Sequence, residues 1–229
     1  MAEMRASIVI RAYNARESLA RAVESALAQD MQPHSYEVII VDDGSSDGTL
    51  SLAESFVPRG VRVIQQKNAG AVAAANVGFR AARGEFVTLL DSDDEAAPTL
   101  LSYSLQLLEA DPSLSFSFCD YYEQFRDERR RVEVTDPFQM IAGGTLWRRS
   151  FGDAQGWFRN VGIFPEYELV LRTWGTARYV RVAEPCYIYR RNEASLSGDT
   201  RRVEECIARL KELYPERTQE IGRIRSYSI

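Results

Sequence analysis

Along the first hundred residues the hydrophobic pattern switches repeatedly between two periods. Ser7 to Arg11 (SIVIR), Glu37 to Val41 (EVIIV), Val61 to Gln65 and Glu85 to Leu90 (EFVTLL) are short runs rich in β-branched residues. Such runs read as strands buried on both faces. Between them, apolar residues recur at helical spacing. Leu19, Val23, Ala26 and Leu27 mark one helix, and Leu50, Ala53 and Val57 a second. Ala71 to Arg83 marks a third, with Gly84 placed to stop it. Asn14, with Glu17 three residues later, resembles a capping box for the first helix. Pro98 suits the first position of a fourth helix, whose stripe of Leu101, Leu105 and Leu108 ends at Asp111-Pro112.

Strands alternating with helices predict an α/β fold with a mostly parallel central sheet flanked by helices on both faces. Right-handed crossovers bring the C-terminal ends of such strands to one edge, and ligands of open α/β sheets bind in the crevice beyond it. The second half is less regular. Leu114 to Tyr122 reads as a strand, and the highly charged Glu123 to Asp136 as an exposed hairpin or loop. Gly143-Gly144-Thr145 marks a tight passage. Tyr167 to Trp174 and Val203 to Tyr214 have helical patterns, and Arg178 to Val182 and Cys186 to Arg190 read as two strands.

Composition narrows the function classes. The 229 residues carry a net charge of −5, which argues against general nucleic-acid binding. No apolar run is long enough to span a membrane, and the N-terminus lacks the pattern of a secretory signal. A cytoplasmic protein is expected, with peripheral membrane contact left open and the oligomeric state unspecified. Cys119, Cys186 and Cys206 lack zinc or redox spacing and read as free thiols. The only histidine, His34, lies in a loop, so a mechanism built on a catalytic histidine is disfavoured.

The polar residues that carry chemistry follow strand ends. Asp91-Ser92-Asp93, after FVTLL, places two carboxylates where they can share a divalent cation, and hard oxygen ligands suit Mg²⁺ or Mn²⁺. Asp94 and Glu95 read instead as acids favouring the N-terminal end of the next helix. In Asp42-Asp43-Gly44-Ser45 a carboxylate can accept from a uracil imide or ribose hydroxyls; the alternative is an ordinary tight turn. Tyr13 can stack on a base or simply pack. Either Glu166 or Glu168 can act as a general base, or both can serve as helix-start acids after Pro165. Arg190 and Arg191 can neutralise a diphosphate or be solvated.

Taken in order, these blocks resemble family 2 glycosyltransferases of the GT-A fold. The similarity is carried by SIVIRAYNARESLARAVESALAQ, EVIIVDDGSSDGT, Asn68-Ala69-Gly70 leading to Asn76 and Gly78, and GEFVTLLDSDDEAAP. It continues more loosely through GGTLWRR, PEYELVLR and YRRNEASLS. The resemblance implies one GT-A domain over residues 1–229, with a nucleotide-sugar-binding half (1–112), an acceptor half (113–198) and a C-terminal helical segment (199–229). It implies an inverting, metal-dependent transfer from a nucleoside-diphosphate sugar, often UDP-linked, to a saccharide or lipid-linked acceptor in polysaccharide or glycolipid assembly. Ala12, Tyr13, Asn14, Asp42, Asp43, Asn68, Asp91, Ser92 and Arg190 would bind the donor. Asp91 and Asp93 would hold Mn²⁺ or Mg²⁺, and Glu166 would be the catalytic base.

The chain departs from the family pattern at three places. Arg11 stands where a proline is usual, Pro165-Glu166 replaces Glu-Asp, and Asn192 stands where many members carry a histidine near the metal. The Pro165-Glu166 and Asn192 changes support a competing expectation: a degenerate module that binds nucleotide-sugar or a partner without turnover. A nucleotidyltransferase is disfavoured, because Ala12-Tyr13-Asn14 is not a glycine-rich phosphate loop.

Overall fold

The computed structural model describes residues 4–191 and 198–224. The four apolar runs become parallel neighbours: β1 (Ala6–Ala12), β2 (Tyr36–Asp42), β3 (Arg62–Gln65) and β4 (Phe86–Asp91). β1 lies between β2 and β4, and Ile8, Val9 and Ile10 are fully buried, which is why this strand shows no polar alternation. Helices α1 (Leu19–Leu27), α2 (Thr49–Glu54) and α3 (Ala71–Ala81) make the crossovers. α1 turns Leu19, Ala22, Val23 and Ala26 inward, at the predicted spacing.

After β4 the chain makes a two-residue strand β5 (Glu95–Ala96), then α4 (Leu100–Ala110). The sheet continues through β6 (Phe116–Phe125), β7 (Glu128–Val132) and β8 (Thr145–Arg148). Helices α5 (Arg149–Gln155) and α6 (Pro165–Arg172) follow, then β9 (Tyr179–Arg191), α7 (Thr200–Leu213) and α8 (Thr218–Ile221). Strand order is β3-β2-β1-β4-β8-β6-β9-β5, with β7 paired to β6. β8 is antiparallel to both β4 and β6, so it joins the regular N-terminal half to the C-terminal half in one sheet.

Several expectations are corrected. The segments read as two strands, 178–182 and 186–190, form the single strand β9; its pairing with β6 slips around Asp120, and that irregularity is what broke the apparent pattern. α4 begins at Leu100 rather than Pro98, because the Pro98 carbonyl accepts the Asp30 N–H and Pro98 belongs to the preceding turn. α5 and the strands β5 and β8 were too short to leave a period in the sequence. The charged segment after Glu123 is the β6–β7 hairpin, and its arginines are matched locally. Arg130 pairs with Glu123, Arg131 with Asp120, and Arg129 lies over the Tyr122 ring. Among the described residues no helix is long and apolar enough to cross a membrane.

Candidate active site

β1, β2 and β4 end at one edge of the sheet, and the residues beyond them wall a cavity of about 560 Å³. Ala12, Tyr13, Asp43, Asn68, Asp91, Ser92 and Asp93 line it from the first half of the chain. Ile141 to Gly143, Gly162 to Glu166 and Tyr187 line it from the second.

The loop after β3 is folded onto the end of β2 by Asp43. One of its carboxylate oxygens accepts from the Gln66 side-chain amide (2.7 Å) and the Ala69 N–H (2.8 Å), the other from the Gly70 N–H (2.9 Å). This places Asn68 at the cavity wall. The approach is so close that a Cβ at Gly44, whose φ is +76°, would lie 2.8 Å from the Asn68 nitrogen. Asp42 and Asn14 sit elsewhere. Asp42 is fully buried beneath the turn, where it accepts from the Ser45 N–H, and it does not line the cavity. Asn14 is exposed and ties two loops together: its N–H donates to Ser45 Oγ, and its side-chain oxygen accepts the Ser46 N–H. It caps no helix, because α1 starts four residues past the expected position, after Ser18.

The acidic cluster at the end of β4 is shaped by register. Arg11 and Asp91 are partners across the parallel β1–β4 pair, so their side chains leave the sheet together, and Arg11 Nε meets Asp91 Oδ1 at 2.6 Å. Asp93 carries no ion pair among the described residues; burial, and then the charge of Asp91, raise its pKa. Asp94 is not a helix cap. It is buried and accepts from the Tyr187 hydroxyl (2.8 Å) and the Arg190 N–H (2.7 Å). Burial, and then its two aspartate neighbours, push its carboxyl well above the usual range. Glu95 lies in β5 and pairs with Arg190 and Arg21. Arg190 is therefore held by Glu95 outside the cavity lining, and Arg191 pairs with Glu123.

Glu166 enters the cavity from the start of α6. Phe164 precedes the helix in the left-handed region (φ 59°), a conformation that non-glycine residues adopt only when the surroundings enforce it. Pro165 at the first turn then sets the helical φ. Glu166 is only 5% exposed, and this burial pushes its pKa up to about 7, against the opposing pull of Arg11. Glu168, two residues on, points to a different place. It is fully buried and bound by Arg172 through both oxygens at 3.0 Å and by the Tyr214 hydroxyl. Of the two glutamates, only Glu166 lines the cavity.

The profile of glycosyl transferase family 2 matches residues 7–167. The chain belongs to glycosyl transferase family 2. Among curated relatives of the family, it is 42% identical over 198 residues to chondroitin synthase of Escherichia coli, covering 79% of this chain and 28% of that protein. It is 39% identical over 105 residues to the succinoglycan biosynthesis protein ExoO of Rhizobium meliloti, covering 45% and 30%. The chain thus spans less than a third of either relative's length. Its fold is that of S. aureus TarS in complex with UDP-GlcNAc (TM-score 0.77, 18% identity, 98% of this chain and 74% of that one). It is also that of the mannosyltransferase PcManGT from Pyrobaculum calidifontis in complex with GDP-Man and Mn²⁺ (TM-score 0.76, 16% identity, 95% and 68%). The expected GT-A architecture is what the chain adopts.

Family membership raises the question of a divalent cation. Among the described residues no three metal-ligating side chains converge in a ready-made cluster. The donor set nevertheless fits a hard cation that completes its shell with phosphate and water. Burial, and then the charge of Asp91, disfavour a charge on Asp93, and a cation would relieve that repulsion. Asn192 lies outside the described residues.

Sequence reasoning gave no role to Tyr187 or to Arg11. Tyr187 bridges Asp94 and the Asp91 N–H with one hydroxyl, and a Cβ at Gly143 would strike its ring at 2.3 Å. Nothing local in the sequence marks a tyrosine in mid-strand for this role. Arg11 was legible in principle, since two parallel strand ends in register bring a cation beside the first acid of the pair.

Proposed function

We propose that this protein transfers a sugar from a nucleoside-diphosphate sugar, UDP-linked in the first instance, to a hydroxyl of a saccharide or lipid-linked acceptor, with inversion at the anomeric carbon. The observation that carries this reading is the meeting, in one cavity, of the Asp91–Asp93 pair with a buried Glu166 whose pKa is pushed up to about 7. A carboxylate poised near neutrality is suited to take a proton from a hydroxyl and to hold it at working pH. The nucleotide-sugars in the TarS and PcManGT structures support the donor class, and the Mn²⁺ in the latter supports a metal. The ExoO and chondroitin synthase relatives support a role in polysaccharide assembly.

In this reading Tyr13, 54% exposed at the cavity, offers its ring face to the base. Ala12, Asp43 and Asn68 surround the nucleoside. Asp91 and Asp93 hold Mn²⁺ or Mg²⁺, which when bound neutralises charge on the departing diphosphate. Glu166 accepts the acceptor hydroxyl's proton on its carboxylate. The acceptor oxygen bonds to C1 as the bond from C1 to the diphosphate oxygen breaks, and the electron pair leaves with the diphosphate. One displacement from the opposite face inverts the centre.

Calorimetric titration of UDP and of GDP, each with and without Mn²⁺, tests the donor site. One nucleotide is expected to bind tightly only with metal present. Failure of both to bind folded protein would overturn the reading and favour a module without turnover.

A further inference from the structure

We propose that Arg11 is a resident counter-cation for Asp91, which competes with the divalent metal and thereby makes metal binding depend on the donor's diphosphate. The inference rests on the reading that Asp91 and Asp93 hold the metal.

The geometry is specific. Arg11 follows three fully buried residues of β1 and emerges at the cavity in register with Asp91. Its Nε lies 2.6 Å from Asp91 Oδ1, and both side chains are mostly covered, at 21% and 28% exposure. Little solvent screens the pair, so it is stronger than a surface salt bridge. Among the described residues Asp91 has no other ion-pair partner. The nearby arginines are engaged differently: Arg21 and Arg190 both pair with Glu95, and Arg21 reaches only the Asp93 backbone carbonyl. Among the described residues Arg11 is thus the one cation ion-paired with the Asp91–Asp93 pair, and its charge is also felt at Glu166.

A divalent ion approaching Asp91 meets the guanidinium on one oxygen and must displace it or settle for the other. Either route weakens binding of the metal alone. A diphosphate changes the balance, because its oxygens offer the guanidinium a substitute anion as good as the carboxylate it gives up. Arg11 then turns from competitor to donor ligand, and metal and nucleotide each tighten the other's binding.

The test is Mn²⁺ binding measured by electron paramagnetic resonance, without nucleotide and then with UDP, on the folded full chain. Arg11→Met keeps the aliphatic stem and removes the charge. Without nucleotide it should bind Mn²⁺ about tenfold more tightly than wild type, the size expected for removing one nearby, partly screened charge. Its gain in Mn²⁺ affinity on adding UDP should shrink. Arg11→Lys, which keeps the charge, should stay near wild type. An Arg11→Met protein that binds Mn²⁺ no more tightly than wild type would overturn the proposal. Asp93→Ala separates the two readings. If Mn²⁺ binding survives that change, the metal assignment itself falls. If Asp93→Ala abolishes binding while Arg11→Met fails to tighten it, only the role of Arg11 falls.

Discussion

Two glutamates in one helical turn show how little the residue type decides and how much its surroundings do. Glu166 and Glu168 are both buried, yet one is raised to about neutrality by desolvation, while the other is ion-paired with Arg172. For Glu166 the folded state favours the protonated form. From this group, therefore, stability is highest below its ordinary value of 4.5, falls as pH rises, and is fully lost above about 7. Glu166→Gln removes that penalty. The variant should be more stable than wild type at pH 8, by on the order of 2–3 kcal/mol, and show little difference at pH 4.5. It should also lose sugar transfer while retaining nucleotide binding. Thermal melts at the two pH values, with transfer assayed alongside, check both. In the wild type, transfer should rise with pH through about 7 as the base ionises.

At the scale of elements, α6 does two jobs with opposite faces. Pro165 and Glu166 face the cavity, while Glu168 and Arg172 anchor the helix; Arg172 also donates to the Gln155 and Trp157 carbonyls. Glu168→Ala would leave the largely covered Arg172 guanidinium without its carboxylate. It should cost about 3 kcal/mol in denaturant unfolding, yet leave UDP affinity with Mn²⁺ unchanged, because the side chain does not reach the cavity. Loss of nucleotide binding in this variant, with the fold intact, would show that the Glu168–Arg172 anchor also shapes the cavity. The helix itself was legible from Pro165 and its following acids. Its entry through a left-handed Phe164 was not, since no local propensity favours that conformation for phenylalanine. The same contrast holds for strands. β1, β2 and β4 are read directly from continuous apolar runs, whereas β8 is a four-residue link whose identity comes from its neighbours on both sides.

Across the whole molecule, one sheet runs through both halves of the chain, and the cavity takes walls from each. A cut at residue 112 would therefore divide one sheet. An isolated fragment 1–112 would lose β8 from the side of β4 and the β6–β9 surface that covers α4. It should show no cooperative thermal transition by circular dichroism, while the full chain melts in one step. A cooperative fragment would establish an independently folding unit. The sequence by itself determined the α/β alternation, the edge of the sheet where polar residues gather, and a set of candidate acids that holds both members of each pair, Asp42 with Asp43 and Glu166 with Glu168. These are encoded locally, in periodicity and in the residues that follow each strand. Only the tertiary structure decided which acid of each pair faces the cavity, why Asp42, Asn14 and Arg190 stand outside it, and that Arg11 rests on Asp91 and Tyr187 on Asp94. The Arg11–Asp91 and Tyr187–Asp94 contacts join residues eighty or more positions apart, through strand register and burial, which no local pattern records.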